Sequence, residues 1–435
     1  MKKTKLIIPL LLFIMIGVGI YGEDIASSPW AGGSFSGEIT LEDALQAALA
    51  SEPVLAAFAF EVERNRALEE QAGKLPNPEL KTVQKDFAGS GPFSGSQAMK
   101  SLYGISQKFK LGGKRGKRVR AALQKTAVSE AELDGHKREV ETMVKARFAA
   151  VLSSQQALQI QKENLELVRA SFSVISELVS VGEISPLLQD RAAAELAKAE
   201  TDFLKAEQDL EKHRLDLAAT WNSFNPGFTS VKGNFDEIAS IPRLEELLKN
   251  LDDHPLARRW EAEKRHNQAR LELEKSQLWP DIEIGGSYKK IQENMQHAYV
   301  IEMSVPLPLF DRNQGAIKAA RAEAKIAEKR EQFYLLQLKN RAADAYRALT
   351  SAKAELDALN STLVPAAKRA YEAVSEAFRL GEEEYISVID SQRMLLEATR
   401  RQAELSADFF KLKAELEGLT GKPLENFLPP ERTNQ

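Results

Sequence analysis

An internal repeat constrains this chain more than any other feature. Glu52-Pro53 returns as His254-Pro255, and Pro78 returns as Pro280, both 202 residues later. Gly116 and Gly315 are 199 residues apart, as are Val181-Gly182-Glu183 and Leu380-Gly381-Glu382. A nearly constant offset means one supersecondary unit written twice. The pattern predicts helix, two strands, long helix, reversal and helix in each half. The repeats are placed at residues 40–222 and 241–422. An extension at 23–39 precedes them, a linker at 223–240 joins them, and a tail at 423–435 follows.

The helices carry a 3.5-residue period. In the second half Leu335, Leu338, Ala342, Ala345, Leu349, Ala352, Leu356, Leu359 and Leu363 step by three and four. The same register in the first half falls on Met143, Ala146, Ala150, Ser153, Ala157 and Ile160. Polar Asn164 then stands where the second half has Leu363, a position suited to setting helix register. The return helices read Leu196, Ala199, Phe203, Leu210, His213, Leu217 and Leu395, Ala398, Gln402, Leu405, Phe409, Leu416. Such seams mean helices packed side by side along their length. Residues 115–180 hold no proline, enough for a rod of roughly 100 Å. Aromatic residues are only 7% and charged residues 28%, the composition of long helices that need neighbours to cover their seams. Pro365 falls inside the second rod and predicts a kink.

Period-two alternation appears between the helices. In 281–291, Ile282, Ile284, Gly286 and Tyr288 share one face, and Glu283, Gly285, Ser287 and Lys289 the other. In 297–305, Tyr299, Ile301 and Met303 oppose Val300, Glu302 and Ser304, and the polar link 292–296 suits a hairpin. The first half holds a weaker copy, a strand near 80–87 and Tyr103, Ile105 and Phe109 alternating with Gly104, Ser106 and Lys108. A Gly- and Ser-rich loop at 88–100 joins them. Runs of about 9–11 residues fit a tilted membrane strand. An ordinary half-buried hairpin explains any one strand equally well. Four strands cannot close a barrel, because lipid does not tolerate unpaired edges and the smallest barrels need about eight. A membrane reading therefore requires several chains to share one barrel.

Lys2, Lys3 and Lys5, the apolar run 6–20 and the small residues after it have the layout of a cleaved secretory signal, placed at 1–22. An uncleaved anchor is the alternative. The chain has no cysteine, which excludes disulfides and thiolate metal sites. The net charge of −4 gives no reason to expect nucleic acid. His136, His213, His254, His266 and His297 stand singly, without metal-ligand spacing. No catalytic constellation and no phosphate-binding loop is present, so neither an enzyme nor a cofactor is expected.

Several segments resemble the TolC-type outer-membrane factors. Thr40-Leu41-Glu42-Asp43-Ala44 opens the similarity, with Thr40 and Asp43 also reading as a capping box. Leu75-Pro76-Asn77-Pro78-Glu79-Leu80 resembles the family's helix-to-strand entry. Ile105-Ser106-Gln107 with Leu111-Gly112-Gly113-Lys114-Arg115 resembles the first strand-to-helix exit. Val305-Pro306-Leu307-Pro308-Leu309-Phe310-Asp311-Arg312-Asn313-Gln314-Gly315 resembles the second. The two exits are most similar to the heavy-metal resistance branch, the CzcC and CusC type.

The resemblance implies a mainly α fold with a small β part. Helical hairpins would form a periplasmic α-barrel, and four strands per chain would join a trimeric, twelve-stranded transmembrane β-barrel. The homotrimer would sit in the outer membrane of a diderm bacterium, in contact with its lipid. It would be a passive efflux conduit working with a periplasmic adaptor protein and an inner-membrane pump of the RND type. Heavy-metal cations are the expected cargo, with drugs or type I secreted protein as alternatives. A periplasmic adaptor or coiled-coil scaffold without a pore is the competing class, although adaptors have one helical hairpin where this chain has two.

The resemblance also points to sites. Gly182 and Gly381 each allow a tight reversal. In the family these turns form the periplasmic mouth, which makes Val181, Gly182, Leu380 and Gly381 tip and adaptor-contact candidates. Asp390 matches the second of two acidic positions that constrict the mouth in relatives. Ser387 occupies the place of the first, and Glu383 replaces a basic residue. Asp390, Ser387 and Glu383 are thus the pore-gate candidates, and an acidic mouth favours cations. Asp390 as an ordinary solvated helix residue is the alternative. The basic run 108–120 follows a strand, where Lys114 and Arg115 are expected to meet lipid headgroups. Trp279 is expected to anchor the same rim.

Overall fold

The structure is a computed structural model that describes residues 35–235, 241–249, 251 and 254–427. The expected signal at 1–22, part of the linker and the end of the tail lie outside the described residues. In chain order the elements are β1 (Gly37–Thr40), α1 (Leu41–Ser51), α2 (Pro53–Ala72), β2 (Glu79–Lys85) and β3 (Lys100–Phe109). The rods α3 (Lys114–Ser180) and α4 (Pro186–Ala218) follow, then β4 (Phe228–Lys232) and α5 (Leu244–Lys249). The second half holds α6 (Pro255–Ser276), β5 (Ile282–Ile291), β6 (Gln296–Ser304), α7 (Gln314–Ala358), α8 (Val364–Arg379) and α9 (Tyr385–Thr420). The order helix, strand, strand, rod, return helix thus occurs twice.

Local rules account for the starts. The Thr40 hydroxyl accepts from the Asp43 N–H, and the Asp43 carboxylate accepts from the Thr40 N–H at 2.9 Å, the reciprocal capping box. Pro53, Pro186 and Pro255 each sit in a first helical turn, where a missing N–H removes no helical bond. α3 is 67 residues long, about 100 Å at the usual rise. Its counterpart is not one regular helix. α7 passes through a π turn at Leu359–Leu363 into α8, whose first turn holds Pro365. A proline offers no N–H to the preceding turn and its ring crowds the carbonyl there. The widened turn absorbs that conflict, so the expected irregularity is a π segment within a continuing helical path.

The second-half seam is buried from Leu338 to Leu359, while Leu335 is partly covered and Leu363 is exposed. Leu338, Ala342, Leu349, Leu356, Leu405, Phe409 and Leu416 form one core with Leu247 and Leu251. The first half differs. Met143, Ala146, Ala150, Ser153, Ala157 and Ile160 are only partly buried. The fully covered stripe is Val140, Val144, Phe148 and Val151. α3 packs against α2, α4, α6 and α9, so more than one face is covered. Its larger residues go to the side of α4, while the small-residue face meets α9, with the Ser153 hydroxyl donating to the Ala403 carbonyl. Seam residue His213 bonds through Nδ1 to the Ser154 hydroxyl.

Two strands were not legible in the alternation. β1 and β4, from the expected extension and linker, pair in parallel with Ile39 opposite Val231. They carry Ile39, Phe228 and Val231 into a core around Trp221, Phe148 and Leu217.

His254 joins the second repeat to the end of α9. Its Nδ1 accepts from the Leu256 N–H at 3.1 Å and caps α6, while Nε2–H donates to the Gly418 carbonyl at 3.0 Å. One neutral tautomer satisfies both bonds. Burial pushes its pKa down to about 4 from 6.5, assisted by nearby Arg138. Its contribution is therefore complete above pH 6.5 and is lost as pH falls toward 4, because protonation removes the capping acceptor and leaves a buried charge. Thermal unfolding at about pH 7 and about pH 4.5 should show a larger loss for the wild type than for His254→Asn, whose amide caps without titrating. Equal losses would remove His254 from this role.

Candidate channel wall and periplasmic tips

β2, β3, β5 and β6 form one antiparallel sheet in that order. Register places Leu80, Ile105, Gly286 and Ile301 in one row, and Tyr103, Tyr288 and Tyr299 in the next. These side chains share a face that none of the described residues covers: Leu80 is 81% exposed, Tyr299 82% and Ile301 86%. A water-facing protein rarely presents such a continuous apolar band. The opposite face is polar. There Lys81 donates to Glu283 across the intervening strand β3. Gly104 stands between Lys81 and Ser287 in the register, where a Cβ on it would collide with the Ser287 hydroxyl oxygen. The outer sides of β2 and β6 are open edges. Among the described residues, no single helix is long and apolar enough to cross a membrane.

Where strands meet rods, the three rim candidates separate. Lys114 has a partner within the chain. Its Nζ is 2.6 Å from Asp281 Oδ1, with side chains only 7% and 19% exposed. The pair bolts the β3–α3 junction to the α6–β5 junction, and the charge is used internally. Arg115 is exposed, and its Nε donates to the Gly73 carbonyl at the end of α2, at 2.6 Å. Trp279 is 62% exposed and lies against Gly112, which has φ +68 and no room for a Cβ. Leu307, Leu309 and Phe310 are also exposed, Phe310 at 93%. The apolar run between Pro306 and Asp311 was their signal. Lys110, just past β3, is held below the ordinary lysine range by burial and by Arg118.

At the other end the two reversals have one geometry. Gly182 (φ +79) and Gly381 (φ +77) occupy the left-handed region. The Glu183 N–H reaches the Leu178 carbonyl and the Glu382 N–H the Ala377 carbonyl, both at 2.9 Å, closing the same helix-ending motif twice. Val181 and Leu380, one residue earlier, are each 65% exposed. The two tips are held together by Ile175, Ala192, Tyr385, Val388 and Ile389. Burial raises the Tyr385 hydroxyl above the ordinary tyrosine range. Gln392 donates to Asn164 at 2.8 Å, and Arg393 pairs with Glu195, so polar ties between the repeats flank this core. Asn164 thus sets a cross-repeat contact.

Asp390 is exposed on α9 and has no partner among the described residues. Ser387, partly buried, lies three residues earlier on the same helix face. Glu383 is exposed in the turn ahead of α9 and is not part of that face. Among the described residues no group of three or more His, Asp or Glu side chains is placed to hold a metal ion.

A sheet apolar on one side and polar on the other, continued by rods that end in matched reversals, defines a wall segment of an outer-membrane channel protein. Comparison with known proteins agrees. The family described as outer membrane efflux protein matches residues 44–223 and 250–422. The chain is 30% identical over 387 residues to the cobalt-zinc-cadmium resistance protein CzcC of Cupriavidus metallidurans, spanning 89% of this chain and 91% of that protein. It is 25% identical over 291 residues to the nickel-cobalt-cadmium resistance protein NccC of Alcaligenes xylosoxydans xylosoxydans, spanning 66% of this chain and 64% of that protein. Crystal structures of CusC match with a TM-score of 0.73 at 14% identity, over 90% of this chain and 96% of that one. The outer membrane protein VceC of Vibrio cholerae matches with a TM-score of 0.73 at 18% identity, over 88% of this chain and 96% of that one. The chain belongs to the outer membrane efflux protein family.

The internal role of Lys114 can be measured. Lys114→Ala leaves Asp281 unpaired in a largely covered site and should cost about 3 kcal/mol. Arg115→Ala removes one exposed hydrogen bond and should cost about 1 kcal/mol or less. Urea unfolding midpoints of the detergent-solubilised protein compare them, and equal shifts would reject the distinction.

Proposed function

We propose that three copies of this chain share one barrel in the outer membrane, and that the resulting duct exports divalent heavy-metal cations. Residues 40–222 and 241–422 are its two repeats. The open-edged sheet carries this reading. Its apolar face requires lipid, lipid forbids the bare edges of β2 and β6, and pairing those edges between copies removes the conflict. A periplasmic scaffold without a pore has no use for that face. The metal cargo is supported by the relatives, which are named for resistance to cobalt, zinc, cadmium and nickel. Metal is cargo here and not a resident cofactor.

In this reading the duct consumes no nucleotide and couples no ion. An inner-membrane pump of the RND type supplies the work through a periplasmic adaptor. The exposed apolar residues Val181 and Leu380, each beside a rigid reversal at Gly182 and Gly381, are the adaptor contacts. Asp390 forms a ring at the mouth, with Ser387 one turn before it. The Glu382, Glu383 and Glu384 side chains, exposed at the turn, add negative charge there. Rings of carboxylates select cations.

Outer-membrane fractions should contain heat-resistant trimers that conduct in planar bilayers, and cells lacking the protein should become sensitive to cobalt, zinc or cadmium. A water-soluble monomer would end the proposal. Asp390→Ala trimers should conduct more and prefer cations less. Unchanged conductance and preference would remove Asp390 from the gate.

A further inference from the structure

The polar face of the sheet changes sign along its length. Its rows follow from the strand register. The three rows nearest the rods hold Glu79, Lys81, Lys108, Glu283 and Glu302. Acids outnumber bases there, and Lys81 is tied to Glu283. The two far rows, next to the loops that join β2 to β3 and β5 to β6, hold Lys85, Lys100 and Lys289 and no acid. Asp86, just past β2 with φ 59, reaches back to Lys100 at 2.6 Å, and Glu293 in the β5–β6 loop also acts on Lys100 through space, so the three lysines outnumber the two acids at this end. Lys85 and Lys289 have no hydrogen-bonded or ionic partner among the described residues. Lys85 stands directly opposite Lys100 in the register, an arrangement of like charges that disfavours strand pairing. Any uncharged polar residue would line an aqueous wall without that cost.

We propose that Lys85 and Lys289 of each copy, beside the Lys100–Asp86 pair, form a positive collar at the outer exit of the barrel and set its ion preference. The inference rests on the shared barrel proposed above. Symmetry places each lysine around one axis, and low-dielectric walls focus a field of one sign into the opening. The duct is then acidic at its periplasmic mouth and basic at its outer end. A collar is a barrier to cations in both directions. Outward flow overcomes it because a pump loads the duct from the periplasmic side. Metal ions outside have no such drive, so their passive leak inward falls.

The test uses full-length trimers in planar bilayers under a potassium chloride gradient, with the reversal potential as readout. Lys85→Gln combined with Lys289→Gln should raise the cation-to-anion permeability ratio about twofold or more. Asp86→Asn should lower it by freeing Lys100. The opposite signs separate the collar from a general change in pore shape, and Asp86→Asn decides alone if the double variant fails to insert. Conducting channels whose ratio moves in neither variant overturn the collar and leave the shared barrel standing. Wild-type protein that forms no channel overturns both.

Discussion

The backbone N–H and C=O groups on the outer sides of β2 and β6 have no strand partner among the described residues. In water, solvent would satisfy them. Against hydrocarbon each one costs several kcal/mol, roughly, and a four-stranded sheet has a full row on each side. The apolar band carried by Leu80, Ile105, Tyr299 and Ile301 requires that hydrocarbon environment. These two demands meet only if another copy supplies the missing edge. The proposed oligomer, the channel and the polar lumen all follow from that hydrogen-bond accounting.

The rods raise the same problem in another form. α3 is 67 residues long and covers its faces with several helices of its own chain, yet its length leaves no thick core to lean on. Stability is gathered at intervals: one core around Trp221 and the β1–β4 pair, one around Leu247 and Leu349, and one behind the tips around Ile389. The Lys114–Asp281 pair performs a similar office at the rim, where strands turn into rods. A smaller cluster of Leu165, Val168 and Ala199 lies between them, beside polar ties such as Asn164–Gln392. Sparse anchoring of that kind suits a wall that must be stiff along its axis and able to shift sideways at the mouth.

Charge is arranged along the duct as deliberately as apolar surface is arranged across its wall. Carboxylates are exposed at the tips, a mixed and paired zone lies at the inner end of the sheet, and unpaired lysines stand at the outer end. Divalent cations crossing such a path would meet attraction first and repulsion last. Among the described residues no group of side chains is placed to hold a metal ion, so in the proposed duct charge along the wall is the means of acting on such cargo.

The sequence alone determined the repeat, the strands, the rods and the reversals. Each rests on a local rule: period two for Ile282 to Tyr288, period 3.5 for Leu338 to Leu356, and a residue free to take positive φ at Gly182 and Gly381. That the sheet has open edges follows from the number of alternating segments alone. Tertiary structure decided what depends on distant partners. Lys114 looks like any basic rim residue until Asp281, 167 positions away, is found beside it. The covered stripe of α3 shifted to Val144 and Phe148 because several helices compete for one rod, and periodicity cannot say which face each takes. β1 and β4 are too short to carry a period, and only their pairing across the repeat makes them strands. The sign of the lumen at each level came from register, since a strand's own sequence does not say which of its charges share a row with those of its neighbours.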